Sequence, residues 1–486
     1  MNPAPHDDPR PMLIGGEWTR ADAKIFESIN PANGERNYRI AGAGAGHVDL
    51  AVAAARKAQA EPAWRDMLPH RRAALLMRIA DGMEASADRL ADAQRLENGK
   101  VVAECRAQVA SAAATFRYYA AVCETQGEDI TPSRGAYLSM AIHEPHGVVA
   151  AITPWNSPLT MEAQKVAPAL AAGNAVILKP SEVTPTPALE LGRIALEAGL
   201  APGLLNVLPG FGQEVGGPLV AHPGVDMVSF TGGTASGRRI AEVAARKLMP
   251  VALELGGKSP HIVFADADLD AAADAIVGGI FEGSGQSCVA GSRLFVERSI
   301  HDAFVRRIVE RAQALRVDMP DAPGAQMGPI ASFGHRERIE SMVDGARARG
   351  VEVLCGGERP ADPRLAAGAF YRPTVLASAD SADPIVREEI FGPVLCALPF
   401  EDEADLVAQA NDTVYGLAAG IWTRDFPRAW RVARALAAGT VWINTYKQLS
   451  ISTPFGGFKE SGLGREKGIG GMRLYQQTKS IYVSTR

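Results

Sequence analysis

The sequence of 486 residues lacks a long apolar run, an excess of basic residues and any block of like charges. A membrane-spanning helix needs about 18 consecutive apolar residues, so we predict no span. The polar, proline-rich start has no basic segment followed by a short apolar one, which argues against a secretory signal. With a formal net charge of −5, we expect neither a nucleic-acid partner nor an anionic membrane surface, because both select a basic face.

Cysteine is scarce and histidine is scattered. The five cysteines are an odd number and form no CxxC pair, so we predict neither a disulfide framework nor a zinc cluster, and we expect a reducing cytoplasm. HExxH does not occur. His143 and His146 have HxxH spacing, but Pro145 lies between them in a strand-like segment. Because that spacing suits ligands on one face of a helix, we predict no metal there.

What the chain does have is two series of alternating strands and helices. Helical periodicity dominates residues 49–64, 71–99 and 102–123. From 146 to 254 short apolar runs alternate with helices, which predicts a parallel sheet covered on both faces, the architecture that binds dinucleotides. A second α/β series, with seven apolar runs of its own, continues to 456.

The C-terminal segment 475–486 has the pattern of a strand. We predict that it pairs with the extended segment 136–145. Exposed strand edges of this kind are suited to joining subunits.

Cys288 follows a glycine-rich stretch in the segment FEGSGQSCVAGSR. Gly283, Gly285 and Gly291 allow the backbone and a substrate to come close to the sulfur. Because a thiolate attacks carbonyl carbons readily, Cys288 is a candidate nucleophile. An inert, buried cysteine in a tight loop would explain the same segment, and this segment alone leaves both interpretations open.

Two further segments place polar side chains where apolar runs end. Glu254 ends a strand in LELGGKSP and is a candidate base that activates water; the alternative is a solvated residue that closes a strand. Asn156 in ITPWNSP follows the first strand of the wound sheet, and with the backbone N–H of Cys288 it is a candidate donor to an oxyanion. The alternative is a helix cap formed by Asn156 or Ser157.

The predicted dinucleotide site lacks the G-x-G-x-x-G turn after its first strand. Instead, Lys179 and Glu182 in KPSE follow the second strand, where an acid accepts hydrogen bonds from the adenosine ribose. Because Glu182 would repel a 2′-phosphate, NAD is favoured over NADP. After the fourth strand, TGGTASG opens a helix whose free N–H groups can hold a pyrophosphate.

Six segments in this order, TPWNSP, KPSE, FTGGT, LELGGKSP, GQSC and EEIFGP, resemble the aldehyde dehydrogenase superfamily, and the resemblance runs from IGGEW (14–18) to PFGGFKESGLGRE (454–466). It implies an α/β fold with a Rossmann-like, parallel-sheet cofactor domain at 1–125 and 146–254. A second α/β domain, the catalytic one, is implied at 255–456, and a small β oligomerisation arm at 126–145 and 470–486. Assembly into homodimers or homotetramers is implied as well.

The resemblance implies a role for each matched residue. The implied catalytic residues are Cys288 (nucleophile), Glu254 (base), Asn156 (oxyanion donor) and Glu466 (proton relay behind the base). The implied cofactor contacts are Lys179 and Glu182 at the adenosine ribose, Gly212 and Gly216 at the adenine, Trp155, Thr231, Gly232, Gly233 and Gly237 at the pyrophosphate, and Glu389 and Phe391 at the nicotinamide. Met161, Gln164 and Phe455 are implied to line the substrate channel.

The implied reaction oxidises a small aldehyde to its carboxylic acid with NAD and water. Cys288 forms a thiohemiacetal, which becomes a thioester as NAD accepts a hydride, and water activated by Glu254 hydrolyses the thioester. No metal is needed, because hydrogen bonds stabilise the oxyanion. One alternative is acyl transfer to coenzyme A, against which Glu254 argues. The other is a catalytically inactive structural or binding homologue, against which the intact site residues argue.

Several positions depart from the superfamily pattern. Glu282 and Gly283 stand where many members have Phe-Asn. A carboxylate directed inward there would raise the thiol pKa or favour cationic aldehydes; we favour a side chain that faces solvent. Gly233 replaces a serine that often contacts phosphate. Gln164 stands where enzymes for succinate-type semialdehydes often have arginine, which argues against that substrate, although Lys447 could supply a cation.

Overall fold

The structure is a computed structural model, and it describes residues 8–377 and 380–486. Residues 1–7, assigned above to the cofactor domain, and residues 378–379, assigned to the catalytic domain, lie outside this part of the chain. The described strands are β1 (Met12–Ile14), β2 (Glu17–Thr19), β3 (Lys24–Ile29), β4 (Arg36–Gly42), β5 (Asp129–Thr131), β6 (Tyr137–Pro145), β7 (Val148–Ile152), β8 (Ala175–Lys179), β9 (Leu205–Val207), β10 (Met227–Thr231), β11 (Val251–Glu254), β12 (Pro260–Val263), β13 (Arg293–Glu297), β14 (Glu352–Cys355), β15 (Thr374–Ala377), β16 (Val394–Phe400), β17 (Tyr415–Gly416), β18 (Ala418–Trp422), β19 (Thr440–Ile443), β20 (Phe458–Lys459), β21 (Gly462–Leu463) and β22 (Gln476–Ser484).

The described α-helices are α1 (Ala45–Ala60), α2 (Pro62–Arg65), α3 (Pro69–Ala85), α4 (Ala87–Asn98), α5 (Val102–Thr125), α6 (Pro158–Ala171), α7 (Thr186–Glu197), α8 (Gly217–Ala221), α9 (Thr234–Ala245), α10 (Leu269–Phe281), α11 (His301–Ala314), α12 (Phe333–Ala348), α13 (Pro384–Arg387), α14 (Glu403–Asn411), α15 (Phe426–Ala435) and α16 (Gly468–Arg473). In the part of the chain that the structure describes, no helix combines the length and the apolar character needed to cross a bilayer.

An eight-stranded sheet forms the core of the first half of the fold. Its strands lie in the order β2-β1-β9-β8-β7-β10-β11-β21. The central strands β9, β8, β7, β10 and β11 are parallel, whereas β1 and β21 pair antiparallel at the two sides. β7 (VVAAI) and β8 (AVILK) are buried along their whole length, as expected for parallel strands covered on both faces. The predicted parallel sheet is confirmed.

The N-terminal third is helical as predicted, but it contains two breaks and a hairpin that the sequence pattern did not indicate. The helix predicted over 49–64 ends at Ala60, because the proline at 62 favours extended backbone at Glu61, which has a ψ of 129°. The helix predicted over 71–99 is broken at Ser86 into α3 and α4. Before these helices, β3 and β4 pair antiparallel; most of their residues are at least partly exposed, so they carry no clear alternation.

A seven-stranded sheet forms the core of the second half, in the order β14-β15-β16-β13-β12-β18-β19. Its strands are parallel except for β14, which pairs antiparallel with β15. The seven predicted apolar runs form these seven strands. Alternate residues of each strand face opposite sides. Leu395 and Ala397 of β16 therefore pack in one hydrophobic cluster, and Cys396 and Leu398 in another.

A three-stranded antiparallel sheet is separate from both larger sheets. β22 pairs with β6 over nine residues, from Gln476 opposite Pro145 to Ser484 opposite Tyr137, and β5 pairs on the other side of β6. The predicted pairing of the tail with segment 136–145 is confirmed. Most residues of β22 are exposed, and its outer edge has no partner strand within the described residues.

Candidate active site

The first sheet has a point where its strand order reverses, and the candidate site lies there. The chain passes from β7 through β8 to β9 on one side and then continues with β10 on the other side of β7. Ligands of wound sheets bind in the crevice at the carboxyl ends of the strands at such a point. Asn156 follows β7, Gly232 follows β10 and Glu254 ends β11, so three of the predicted segments meet at this crevice.

A groove of about 890 Å³ lies along the crevice. It is lined by most of the predicted cofactor contacts: Trp155, Lys179, Glu182, Gly212, Gly216, Thr231, Gly232 and Gly233. Gly237 has a different place. A Cβ on Gly237 would lie 2.4 Å from Leu255 Cδ2, so this glycine allows α9 to pack closely on Leu255 and is not among the residues that line the groove.

The groove presents hydrogen-bonding groups that a dinucleotide could use. Lys179 donates to Glu182 at 3.3 Å, and burial nevertheless lowers the pKa of Lys179. The hydroxyls of Thr153 and Thr231 line the groove, buried and without a partner among the described residues. Helix α9 begins without a side-chain cap, so its first N–H groups are open to an anion. These residues fit a ligand of the NAD type.

A second cavity, of about 510 Å³, opens beside the groove, and we call it the inner cavity. Trp155, Thr231, Gly232 and Gly233 line both spaces. The other predicted residues that line the inner cavity are Asn156, Met161, Gln164, Glu254, Cys288, Glu389, Phe391, Phe455 and Glu466. The fold therefore brings all four predicted catalytic residues to one space next to the groove.

Cys288 lies on the loop between the helical turn Glu282–Gly285 and β13. This loop is packed so closely that two glycines are required around it. A Cβ on Gly285 would lie 2.1 Å from the Gly392 carbonyl oxygen, and a Cβ on Gly257 would lie 2.3 Å from the Cys288 carbonyl oxygen. Cys288 is partly exposed, whereas the other four cysteines are buried. The alternative of an inert, buried cysteine therefore fits those four residues better than it fits Cys288.

The environment of the Cys288 sulfur favours the protonated thiol. Burial, followed by the carboxylates of Glu389 and Glu254, raises the pKa of Cys288 to about 12, and the positive charge of Lys467 opposes this shift. Because a thiolate is the attacking species, attack by Cys288 requires a base that takes its proton.

Asn156 holds its amide against the loop of Cys288. Its Nδ2 donates to the Gln286 carbonyl at 2.9 Å, and the Gln286 side chain accepts from the Ala331 N–H at 2.8 Å. One of the two N–H bonds of the Asn156 amide is left without a partner among the described residues and can donate to an oxygen in the inner cavity. The helix-cap alternative is wrong, because neither Asn156 nor Ser157 caps α6 through its side chain.

Glu254 is buried at the end of β11, and its Oε2 has no hydrogen-bond partner among the described residues. Burial, followed by the neighbouring Glu466 carboxylate, raises the pKa of Glu254 well above its ordinary value, against lowering by Lys165 and other cations. The alternative of a solvated residue is therefore wrong. A carboxylate whose pKa is raised is a stronger base, so it is suited to accept a proton from water.

Glu466 is held behind Glu254 by a buried network. Lys165 Nζ lies 2.6 Å from Glu466 Oε1, and the two side chains are 0% and 2% exposed. Gln164 Nε2 donates to Glu466 Oε2 at 3.1 Å, and Lys165 also donates to Ser229 at 3.1 Å. Gln164 therefore fixes Glu466 as well as lining the cavity.

Replacing Lys165 with methionine is expected to lower the free energy of unfolding by about 3–5 kcal/mol, because a buried carboxylate would lose its counter-charge. The measurement is the midpoint of urea unfolding for each variant. The double variant Lys165→Met/Glu466→Gln removes both charges and should recover most of the loss. A single variant as stable as the wild type would contradict the expectation.

Two residues that the sequence did not predict, His335 and Arg338, lie beside Glu389 and Phe391, the predicted nicotinamide contacts. Glu389 accepts from the Gly257 N–H at 2.9 Å, and Arg338 donates to the Glu389 carbonyl at 3.3 Å. His335 lies 2.8 Å, Nε2 to oxygen, from the Phe391 carbonyl, and Phe391 has a positive φ of 58°. His335 and Arg338 both lie on α12 and line the inner cavity. Their segment has an ordinary helical pattern, so no sequence signal distinguished them.

The charged residues near the substrate end differ in whether they line the inner cavity. Glu282 is exposed and is not among the residues that line the inner cavity, which agrees with the solvent-facing interpretation. Lys447 donates to the Gly278 carbonyl at 3.3 Å and also does not line the cavity. Lys467, which the sequence analysis did not single out, does line it. The apolar part of the wall includes Met161, Val289, Leu449, Ile451 and Phe455.

A thiol, an amide and a buried carboxyl thus surround one cavity that opens to a groove of dinucleotide size. In residues 8–377 and 380–486, His, Cys, Asp and Glu side chains form no group of three or more that could hold a metal ion. The arrangement is typical of a nucleotide-dependent oxidoreductase that works through a cysteine.

Comparison with known proteins gives the same class. The profile of the family described as "Aldehyde dehydrogenase family" matches residues 18–481. The betaine aldehyde dehydrogenase of Bacillus subtilis (strain 168) is 39% identical over 477 residues, which cover 98% of this chain and 97% of that protein. The (Z)-2-((N-methylformamido)methylene)-5-hydroxybutyrolactone dehydrogenase of Acinetobacter baylyi (strain ATCC 33305 / BD413 / ADP1) is 41% identical over 474 residues, which cover 97% and 96%.

A solved structure, that of the betaine aldehyde dehydrogenase of Staphylococcus aureus in complex with NAD+, matches with a TM-score of 0.96 and 37% identity, and the match covers 98% of this chain and 95% of that one. The chain belongs to the aldehyde dehydrogenase family.

Proposed function

We propose that the protein oxidises an aldehyde to the carboxylic acid with NAD and water, through a thioester on Cys288. The observation that carries the proposal is the convergence of Cys288, Asn156 and Glu254 on one cavity beside the groove. Family membership supports it, and the Staphylococcus aureus relative is described in complex with NAD+.

In the proposed first step, the Cys288 sulfur bonds to the aldehyde carbon while its proton passes to a base, for which Glu254 is available in the same cavity. The carbonyl oxygen becomes an oxyanion. It accepts hydrogen bonds from the Asn156 amide and the Cys288 backbone N–H, and one such donor contributes on the order of 3–4 kcal/mol. NAD bound in the groove would accept the hydrogen and two electrons that the carbon loses as the thioester forms.

Before the second step, Glu254 releases to solvent the proton that it accepted from Cys288. It then takes a proton from water, the hydroxide oxygen bonds to the thioester carbon, and the carbon–sulfur bond breaks. The acid leaves and Cys288 regains its proton. Glu466, held by Lys165 behind Glu254, is assigned to relaying the proton away. The proposed cofactor contacts are the groove residues named above, with Glu389 and Phe391 at the nicotinamide end and Arg338 and His335 supporting them.

The test is a panel of aldehydes with the purified protein, betaine aldehyde among them, in which NADH and NADPH formation are followed separately. The acid product is identified with and without coenzyme A. Alkylation of Cys288, followed by peptide mass spectrometry, should slow when NAD and an aldehyde are both present. Acyl-coenzyme A as the product would overturn the hydrolytic reaction, and labelling without any turnover would favour an inactive scaffold.

Replacing Glu182 with glutamine is expected to improve kcat/KM for NADP relative to NAD by roughly tenfold, since a carboxylate near the ribose repels the 2′-phosphate. Steady-state kinetics with each cofactor measure the ratio. The exposed carboxylate Glu242 on α9, replaced in the same way, is the control and should leave the ratio unchanged. An unchanged ratio in Glu182→Gln would place the ribose elsewhere.

We also propose the division into cofactor domain, catalytic domain and arm given by the sequence, with the arm joining subunits into a homodimer or homotetramer. The unpaired outer edge of β22 supports this role, and light scattering on the full chain tests it: a monomer at micromolar concentration would refute it. A cytoplasmic location is proposed from the five free thiols, and finding the protein in an oxidising compartment would refute that.

A further inference from the structure

Two basic residues line the inner cavity, Arg338 and Lys467. Arg338 belongs to the nicotinamide end, where it donates to the Glu389 carbonyl. Lys467 lies over the ring of Phe455, with Nζ 5.3 Å from the ring centroid. Within the described residues, the ammonium group of Lys467 has no hydrogen-bond or ion-pair partner. The cavity wall therefore contains an ammonium group with nothing of opposite charge bound to it.

The backbone fixes Lys467 at the wall. Its φ of 62° and ψ of 172° lie in a region that is almost restricted to glycine. On one side, Glu466 and Phe455 exchange two backbone hydrogen bonds of 2.8 Å; on the other, the Gly468 N–H donates to the Ile451 carbonyl at 2.8 Å. A lysine held in this conformation is a fixed part of the cavity, unlike one on a free loop.

The carboxylates near Lys467 do not neutralise it. Glu466 is paired with Lys165 at 2.6 Å, and Glu389 accepts from the Gly257 N–H. Glu254 is buried and forms no ion pair with Lys467 within the described residues. An unpaired charge in a partly desolvated cavity is unfavourable unless a ligand brings the opposite charge.

We propose that the preferred substrates are aldehydes that also carry a carboxylate, and that Lys467 binds this carboxylate while Cys288 attacks the carbonyl carbon. The inference rests on the proposed function. Gln164, which lacks the positive charge of an arginine, argued against a succinate-type substrate, and Lys447 was the predicted alternative cation; Lys467 supplies a cation in the cavity wall in place of both. It also disfavours a trimethylammonium aldehyde, because like charges repel and the ammonium of Lys467 already covers the Phe455 ring that would otherwise attract a quaternary cation.

The experiment compares 4-oxobutanoate with its neutral methyl ester as substrates for the full-length enzyme with NAD. A charge-assisted hydrogen bond contributes a factor of about 10 to 100, so the wild-type kcat/KM for the acid should exceed that for the ester by this factor. In Lys467→Met the ratio should fall to near one, and in Lys467→Arg most of it should return. Lys447→Met, a neighbouring lysine outside the cavity wall, is the control and should keep the wild-type ratio.

The ratio of kcat/KM for the acid to kcat/KM for the ester distinguishes binding of the carboxylate from an effect on the reaction itself. If Lys467 acted only on the Cys288 thiol, both substrates would slow equally in Lys467→Met. Should Lys467→Met not fold, inhibition of the wild type provides the second measurement: butyrate should compete with the substrate at lower concentration than butyramide.

Three results would overturn the inference: a wild-type ratio near one, a ratio retained in Lys467→Met, or a higher kcat/KM for betaine aldehyde than for 4-oxobutanoate. With each of these three results, NADH formation from any aldehyde would still support the proposed oxidation. Absence of turnover with every aldehyde of the panel would overturn both proposals.

Discussion

Replacing Cys288 with alanine is expected to lower kcat by roughly 10⁴-fold or more, because without the sulfur no covalent bond to the aldehyde carbon can form. NAD should still bind with near wild-type affinity, since the groove is unchanged. Rapid-mixing kinetics should show no burst of NADH, and calorimetric titration with NAD measures the binding.

The matched control is Cys355→Ala, because Cys355 is a free thiol buried in the second half of the fold. It should lose some stability and keep its specific activity. Steady-state turnover by Cys288→Ala close to that of the wild type would refute the covalent mechanism, whereas equal losses in both variants would point to misfolding.

Replacing Glu254 with glutamine is expected to slow hydrolysis of the thioester by about 10²- to 10⁴-fold, the range typical of a positioned base. The acyl-enzyme should then accumulate on Cys288. A burst of NADH should still precede a slow steady state, but it should rise more slowly than in the wild type, because the variant also lacks the proposed base for the Cys288 proton and water must accept that proton instead. Hydrolysis should slow more than the hydride step, so mass spectrometry of the quenched protein should find the acyl group. Glu282→Gln, at an exposed carboxylate near the same loop, is the control.

The pH dependence of the hydrolysis rate follows from the raised pKa of Glu254. Only the ionised carboxylate accepts a proton from water, so hydrolysis should accelerate as pH rises through that pKa, at a pH well above the ordinary range of glutamate. Glu254→Gln should remove this rise. An unaltered acyl-enzyme lifetime in the variant would assign the base to another residue.

The parallel strands were predictable because burial on both faces gives them nearly continuous apolar runs, as in VVAAI and AVILK. The hairpin of β3 and β4 was not, because most of its residues are at least partly exposed and carry no such run. The break at Ser86 was missed because helical spacing continues on both sides of it. The short strand β21 was missed as well; its two residues pair with Leu253 and Glu254, far away in sequence.

The residues of the site also divide into those that the sequence predicted and those that it did not. Cys288, Asn156 and Glu254 lie in segments whose residue types suggest chemistry, and the family resemblance joined them. Lys467 could not be found in this way, because a lysine at the end of an exposed-looking loop is usually solvated. Its position depends on the backbone bonds between Glu466 and Phe455, which no local pattern encodes. Gly237 was assigned to the cofactor because it lies in a glycine-rich turn, but steric contact with Leu255 explains it.

The place of β21 has a consequence for biosynthesis. The strand that covers β11 beside Glu254 comes from residues 462–463, near the end of the chain. The chain from Glu254 to Gly462 must therefore be synthesised before the eight-stranded sheet can be completed. Until then the backbone of Leu253 presents an unpaired strand edge, the kind of surface at which incomplete chains aggregate.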